Sequence, residues 1–326
     1  MPGRRFLTIP GYLLAWLLCV AAAPFYMPLL VLVDLLRGRR AVAVRSAAFL
    51  IAFFSCEMLG LAGCAGLWLW KLTVRPDEER WQRAHYRLQA WWGSTIFGAV
   101  VHIFDVRLEV EGDAALDRGP YLLLVRHASS ADTLLASALL SRRFGIRLRY
   151  VIKRELLWDP CLDVVGHRLP NVFVDRFSDD PAREIERLRD LARDLGPRDG
   201  ILTYPEGTRF TPARRGRILE NLRGKGDAEA LAAAEALESV LPPRPRGTLA
   251  LLAAAPEADV VLCMHAGFEG TASLGQIWRG ALVGRTVRVK FQRIRRSEIP
   301  DGDAEALAWL RGEWRRVDAW VTAASA

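Results

Sequence analysis

The segment Leu122-Leu-Leu-Val-Arg-His-Ala-Ser-Ser-Ala-Asp-Thr-Leu-Leu135 decides how the rest of the chain is read. An apolar run stops at Arg126-His127, four small residues follow, and Asp132 opens a second, periodic apolar run. That pattern predicts a buried strand, a turn, and a helix with Asp132 in its first turn. On one continuous helix positions 127 and 132 would lie roughly 140° apart, off any shared face. With His127 in the turn and Asp132 at the helix start, the two side chains can meet. A histidine held by a carboxylate has its tautomer fixed, and its other nitrogen can act as a base near neutral pH. Read singly, Asp132 is a helix N-cap and His127 a turn histidine. A second segment, Ile201-Leu-Thr-Tyr-Pro-Glu-Gly-Thr-Arg-Phe210, is the reason to read them together.

Around these segments strands and helices alternate. Residues 106–112 alternate in polarity and form a first strand ended by glycine. Residues 121–125, 148–153, 172–174 and 200–204 read as further strands, with helices over 133–144 and 181–195. The fold class is α/β, a central mixed sheet flanked by helices.

Upstream, residues 6–33 carry no charge, and residues 46–70 carry only Glu57. Each run exceeds the ~20 residues that cross a bilayer core, so an N-terminal two-helix membrane segment is expected. A secretory signal fits poorly, because a second apolar run follows. Two orientations remain open. Two crossings would set the loop with Arg37, Arg39, Arg40 and Arg45 on the side opposite the large domain. Alternatively Pro24 and Pro28 break the first run, and the pair dips into one leaflet without crossing. Glu57 is a functional candidate inside that segment, or a helix-packing residue. Residues 79–101 form an amphipathic helix with Trp81, Tyr86, Trp91 and Trp92, which suits either a bilayer interface or a core-covering role.

With 326 residues, a net charge of +8 and a pI near 9.6, the chain favours an anionic partner. Zinc-finger spacing, an RNP-like strand and a long basic helix are all missing, so membrane lipid is preferred over nucleic acid. Five cysteines (Cys19, Cys56, Cys64, Cys161, Cys263) without a C-x-x-C pair read as reduced thiols. The five histidines lack H-E-x-x-H spacing, so no metal site is expected.

His127-x-x-x-x-Asp132, followed about 75 residues on by Tyr204-Pro-Glu-Gly-Thr-Arg209, closely resembles the glycerolipid acyltransferase family. Lys153-Arg-Glu-Leu-Leu157 with Pro160 and Gly166, then Val172-Phe-Val-Asp-Arg176, are similar to the family's second block. The resemblance covers roughly residues 106–270. It implies a membrane-bound enzyme moving a fatty acyl group from acyl-CoA or acyl-carrier protein to the hydroxyl of a lysophospholipid, most simply 1-acyl-sn-glycerol-3-phosphate. It implies His127 as general base, Asp132 as its orienting carboxylate, and Lys153, Glu206, Gly207, Thr208 and Arg209 as binders of the acceptor's phosphate. It requires no cofactor beyond the thioester co-substrate, and it implies the inner membrane with the catalytic domain facing the cytoplasm.

The residues support that chemistry in their own right. The substrate hydroxyl would stand in for the serine of a Ser-His-Asp arrangement, and neither an acyl-enzyme nor a metal is needed. Arg209 can grip phosphate bidentately, Lys153 adds a point charge, and Gly207 allows close backbone approach. Where the family often has asparagine before the histidine this chain has Arg126, which bears on acceptor preference more than on the reaction. Arg154 and Arg176 read as structural or headgroup-facing.

The expected organisation is a membrane-embedded hairpin (1–75), an amphipathic connecting helix (76–105), an acyltransferase domain (106–300) and a C-terminal helix (301–326). Residues 211–246 form a basic, interrupted insert with a helix over 227–240. It ends in Leu241-Pro-Pro-Arg-Pro-Arg-Gly247, which is similar to the P-R-x-x-G element of the branch acylating lysophosphatidylglycerol or lysocardiolipin. Residues 258–264 resemble the fourth family strand without its proline, and 287–294 read as a late edge strand. Two further readings stay open: a CoA-independent transacylase, and a catalytically silent lipid-binding protein.

Overall fold

A computed structural model describes residues 3–175, 180–271 and 274–325; Arg176 lies outside the described residues. Three apolar helices open the chain, α1 (Gly3–Ala21), α2 (Ala23–Leu36) and α3 (Val42–Val74). The first apolar run is thus broken at Ala22, with a proline in the first turn of α2 and Pro28 inside it. α1 and α3 are long and apolar enough to cross a membrane. The Asp34 carboxylate accepts from the N–H groups of Ala43 and Val44 at 2.9 and 3.0 Å, satisfying the open start of α3.

α3 runs along the rest of the protein. At its start Val42 packs under Gly280, where an added Cβ would lie 2.9 Å from Val42 Cγ2. Arg45 donates to the Ile103 carbonyl, Trp92 Nε1 donates to Glu57 at 2.8 Å, and Arg168 donates to the Cys64 carbonyl at 3.1 Å. Positions 42 to 64 cover roughly 33 Å of helix, about the thickness of a bilayer core. α1 is pinned at its start, where Arg4 and Arg5 meet Asp163 at 2.9 and 3.1 Å. The start of α3 thus touches both the connecting helix, at Ile103, and the turn at Gly280. The outer face of the hairpin exposes Phe6, Leu14, Phe25, Leu29 and Leu59.

α4 (Glu78–Ile103) starts at Asp77, whose carboxylate accepts from the Arg80 N–H at 2.7 Å, with Glu78 and Glu79 at the positive end of the helix dipole. Its buried face carries Trp81, His85, Gly93, Ile96, Phe97 and Val100, so it covers the core. There follow β1 (Arg107–Glu111), β2 (Tyr121–Val125) and α5 (Asp132–Ala136), which continues through a π turn (Ser137–Ser141) into α6 (Arg142–Phe144). Next come β3 (Arg147–Lys153), α7 (Pro160–Gly166), β4 (Val172–Val174), α8 (Pro181–Ala192) and β5 (Asp199–Thr203). The chain closes with α9 (Pro212–Lys225), α10 (Ala228–Glu235), α11 (Pro245–Ala254), β6 (Asp259–Ala266), α12 (Leu274–Trp278), β7 (Thr286–Ile294) and α13 (Asp303–Ser325). Asp159, Asp180 and Thr211 each cap a helix that opens on proline, a residue whose missing N–H costs nothing there.

The strands form one mixed sheet in the order β1-β7-β6-β2-β5-β3-β4, with only β6 and β7 antiparallel. β7 is therefore an inner strand, not an edge: β1 adds outside it in parallel, a long-range pairing invisible in local alternation. The insert holds two helices, and the second stops at Glu235. Beyond it the Asp318 carboxylate of α13 takes the N–H groups of Glu238, Ser239 and Val240. Successive β2 side chains face opposite layers. Leu123 and Val125 join Phe97, Phe104 and Leu135 on one side; Leu122 and Leu124 join Leu188, Leu251 and Trp314 on the other. Trp314 is fully buried, so α13 closes the core.

Candidate active site

β2 is the middle strand, flanked by β5 and β6, and the strand order reverses around it. In such sheets ligands collect beyond the carboxyl ends of the strands at that reversal. His127 follows β2 there, Tyr204–Arg209 follows β5, Lys153 ends β3, and His265 lies near the end of β6.

Asp132 is fully buried. Its carboxylate accepts from the N–H groups of Ala128 and Ser129, both at 2.7 Å, and so closes the turn that carries the histidine. His127 Nδ1 lies 3.1 and 3.3 Å from the two Asp132 oxygens and must donate to them. That tautomer leaves Nε2 unprotonated and able to accept a proton. Although burial pushes the Asp132 carboxyl up, His127 and His265 hold it well below the usual range. The Tyr204 ring packs on His127 with centroids 4.3 Å apart, fixing the imidazole plane.

Glu206 is also fully buried, but it does not face the cavity. Its oxygens accept from the N–H groups of His127 and Leu241, each at 2.9 Å. It ties the catalytic turn to the segment preceding α11. Burial pushes its carboxyl up to about 8, against those two donors. Gly207 adopts φ +66°, a conformation favouring glycine, and Thr208 sits half-buried beside it. Arg209 donates to Ser130 Oγ at 2.6 Å, and its carbonyl accepts from Arg214.

His127, Lys153 and Gly207 line one cavity of about 320 Å3 whose lining is largely apolar, including Trp92, Leu134, Ile152, Leu162 and Val174. Arg209 is not among its lining residues; Arg244 is. Arg126 does not reach it either. Its side chain is fully buried and donates to the carbonyls of His265 (2.7 Å) and Ser239 (2.9 Å), with Glu269 as ion partner. Arg126 thus ties β2 to the end of β6 and to the segment preceding α11. His265 was passed over in the sequence. Its Nε2 donates to the Arg126 carbonyl at 2.8 Å and lies 3.5 Å from Asp132. The signal was a histidine ending the apolar run Val260–Met264.

Residues 107–243 match the Acyltransferase family model. The chain is 22% identical to mouse 1-acyl-sn-glycerol-3-phosphate acyltransferase epsilon, over 74% of this chain and 68% of that protein. It is 26% identical to the Limnanthes douglasii 1-acyl-sn-glycerol-3-phosphate acyltransferase over 44% of this chain, and it spans about half of that relative (48%). The fold is similar to the crystal structure of the 1-acyl-sn-glycerophosphate acyltransferase PlsC from Thermotoga maritima. The TM-score is 0.50 at 14% identity, over 81% of this chain and 97% of that one. A central mixed sheet, a His-Asp turn at its point of reversal and the family match over residues 107–243 agree: that part of the chain is an acyltransferase domain, similar to those of the 1-acylglycerol-3-phosphate acyltransferases.

Proposed function

We propose that this protein transfers a fatty acyl group from acyl-CoA or acyl-carrier protein to the free hydroxyl of a lysophospholipid, with 1-acyl-sn-glycerol-3-phosphate as the simplest acceptor. The observation that carries this reading is the His127–Asp132 pair beside a largely apolar cavity whose lining includes the cations Lys153 and Arg244. His127 Nε2 takes the hydroxyl proton as the oxygen attacks the thioester carbonyl. The tetrahedral intermediate collapses, the C–S bond breaks, and the imidazolium returns the proton to the departing thiolate. Ester and free thiol are the products. The acyl chain occupies the apolar wall, so Leu134→Trp is expected to slow transfer of palmitoyl about tenfold or more relative to octanoyl. Equal slowing of both chains would place the acyl group elsewhere.

The direct test is free-thiol release by the detergent-purified chain with a panel of lysophospholipids and both donor types. Release with one acceptor supports the reading and names the headgroup; silence with every acceptor and both donors would overturn it.

The hairpin supports a one-leaflet attachment, because its inner face is occupied by the domain along a bilayer's thickness of helix. In sealed vesicles a single cysteine at Arg39 is expected to react with an impermeant thiol reagent from the same side as one at Glu220. Reaction from opposite sides would establish a crossing.

A further inference from the structure

Two cations line the cavity beside His127, Lys153 and Arg244, and among the described residues no carboxylate does. Arg244 stands between Pro243 and Pro245 in the extended conformation (φ −89°, ψ 103°) that a following proline favours. Its N–H donates to the Pro205 carbonyl at 2.7 Å, which fastens it to the turn after β5. Its side chain lies over Gly207: a Cβ there would sit 2.9 Å from Arg244 Cδ and 3.2 Å from Nε. The backbone is held from both directions, and among the described residues the guanidinium makes no hydrogen bond or ion pair. An anchored arginine with an unused planar fork in the lining of a cavity suits a phosphate ester.

We propose that Arg244, beside Lys153 in the cavity lining, grips the phosphate of the acceptor. This assignment rests on the acyl-transfer reading above. A phosphate ester could also come from the donor, since CoA carries several, so the experiment separates the two.

Initial rates are measured for wild type, Arg244→Ala and Arg244→Lys, with folding followed by thermal melting. The acceptors are lysophosphatidate and its phosphate-free counterpart monoacylglycerol; the donors are palmitoyl-CoA and phosphate-free palmitoyl-pantetheine. Arg244→Ala is expected to raise KM for lysophosphatidate about 10- to 100-fold, the scale of a lost charge-assisted pair. KM for either donor and the rate with monoacylglycerol should move far less, and Arg244→Lys should recover part of the loss. An acceptor KM within twofold of wild type in a folded Arg244→Ala protein would overturn the assignment. So would a shift confined to palmitoyl-CoA. Failure of wild type to acylate any phosphorylated acceptor would overturn the proposed function, and this assignment with it.

Discussion

His127→Ala is expected to lower acyl transfer about 10²- to 10⁴-fold, the usual worth of a positioned general base, while the fold persists. Among the described residues the side chain makes no hydrogen bond besides the one to Asp132, whose carboxylate keeps the N–H groups of Ala128 and Ser129. The bond that fastens this turn to Glu206 comes from the His127 backbone and survives the substitution. Turnover and melting temperature are therefore measured on the same preparation. Wild-type turnover in the variant would remove His127 from the mechanism, and collapse of the melting transition would mean the loss is structural. Asp132→Asn should behave differently, since it disturbs both the imidazole tautomer and the two backbone bonds.

Glu206→Ala is expected to destabilise the protein by about 2–5 kcal/mol, because two buried N–H groups lose their acceptor. Glu206→Gln should cost less, as the amide oxygen still accepts one bond while its NH2 opposes the other N–H. Denaturant unfolding should rank wild type above Gln above Ala, with thiol release falling in the same order because one orphaned N–H belongs to His127. Charge adds a pH signature. The folded carboxyl titrates near 8 and the unfolded one near the ordinary 4.5, so across that interval the folded state holds a proton the unfolded chain has lost. Stability from this group is greatest below the interval and declines as pH rises through it. Melting curves from pH 5 to 8 should show that decline in wild type and a shallower one in Glu206→Ala. Identical slopes would locate the titration elsewhere.

The strands, the His127–Asp132 turn and the apolar hairpin were legible because each is written in local residue order. Tyr121–Val125 is an apolar run that stops abruptly, and Asp132 sits at the start of the next periodicity. What was illegible depends on partners distant in sequence. β7 is an inner strand only because Arg107–Glu111, nearly 180 residues earlier, lies outside it. Arg126 looked like a headgroup residue, since an arginine beside a catalytic histidine is normally solvated; only the carbonyls of Ser239 and His265 make its burial tolerable. Arg209 drew attention as part of a motif, whereas which arginine faces the cavity is set by a hydrogen bond from residue 244 to residue 205. Hydropathy counted the apolar residues of α3 but is blind to whether lipid or protein covers them.

The Glu206 carboxylate has one oxygen on the turn that bears the base and the other on the segment leading to Arg244. The two regions are therefore mechanically coupled parts and not exchangeable modules. A chimera that grafts a relative's 241–247 segment to alter headgroup choice must preserve the backbone position of residue 241. Otherwise the graft shifts the histidine as well, and a change intended for selectivity registers first as lost turnover.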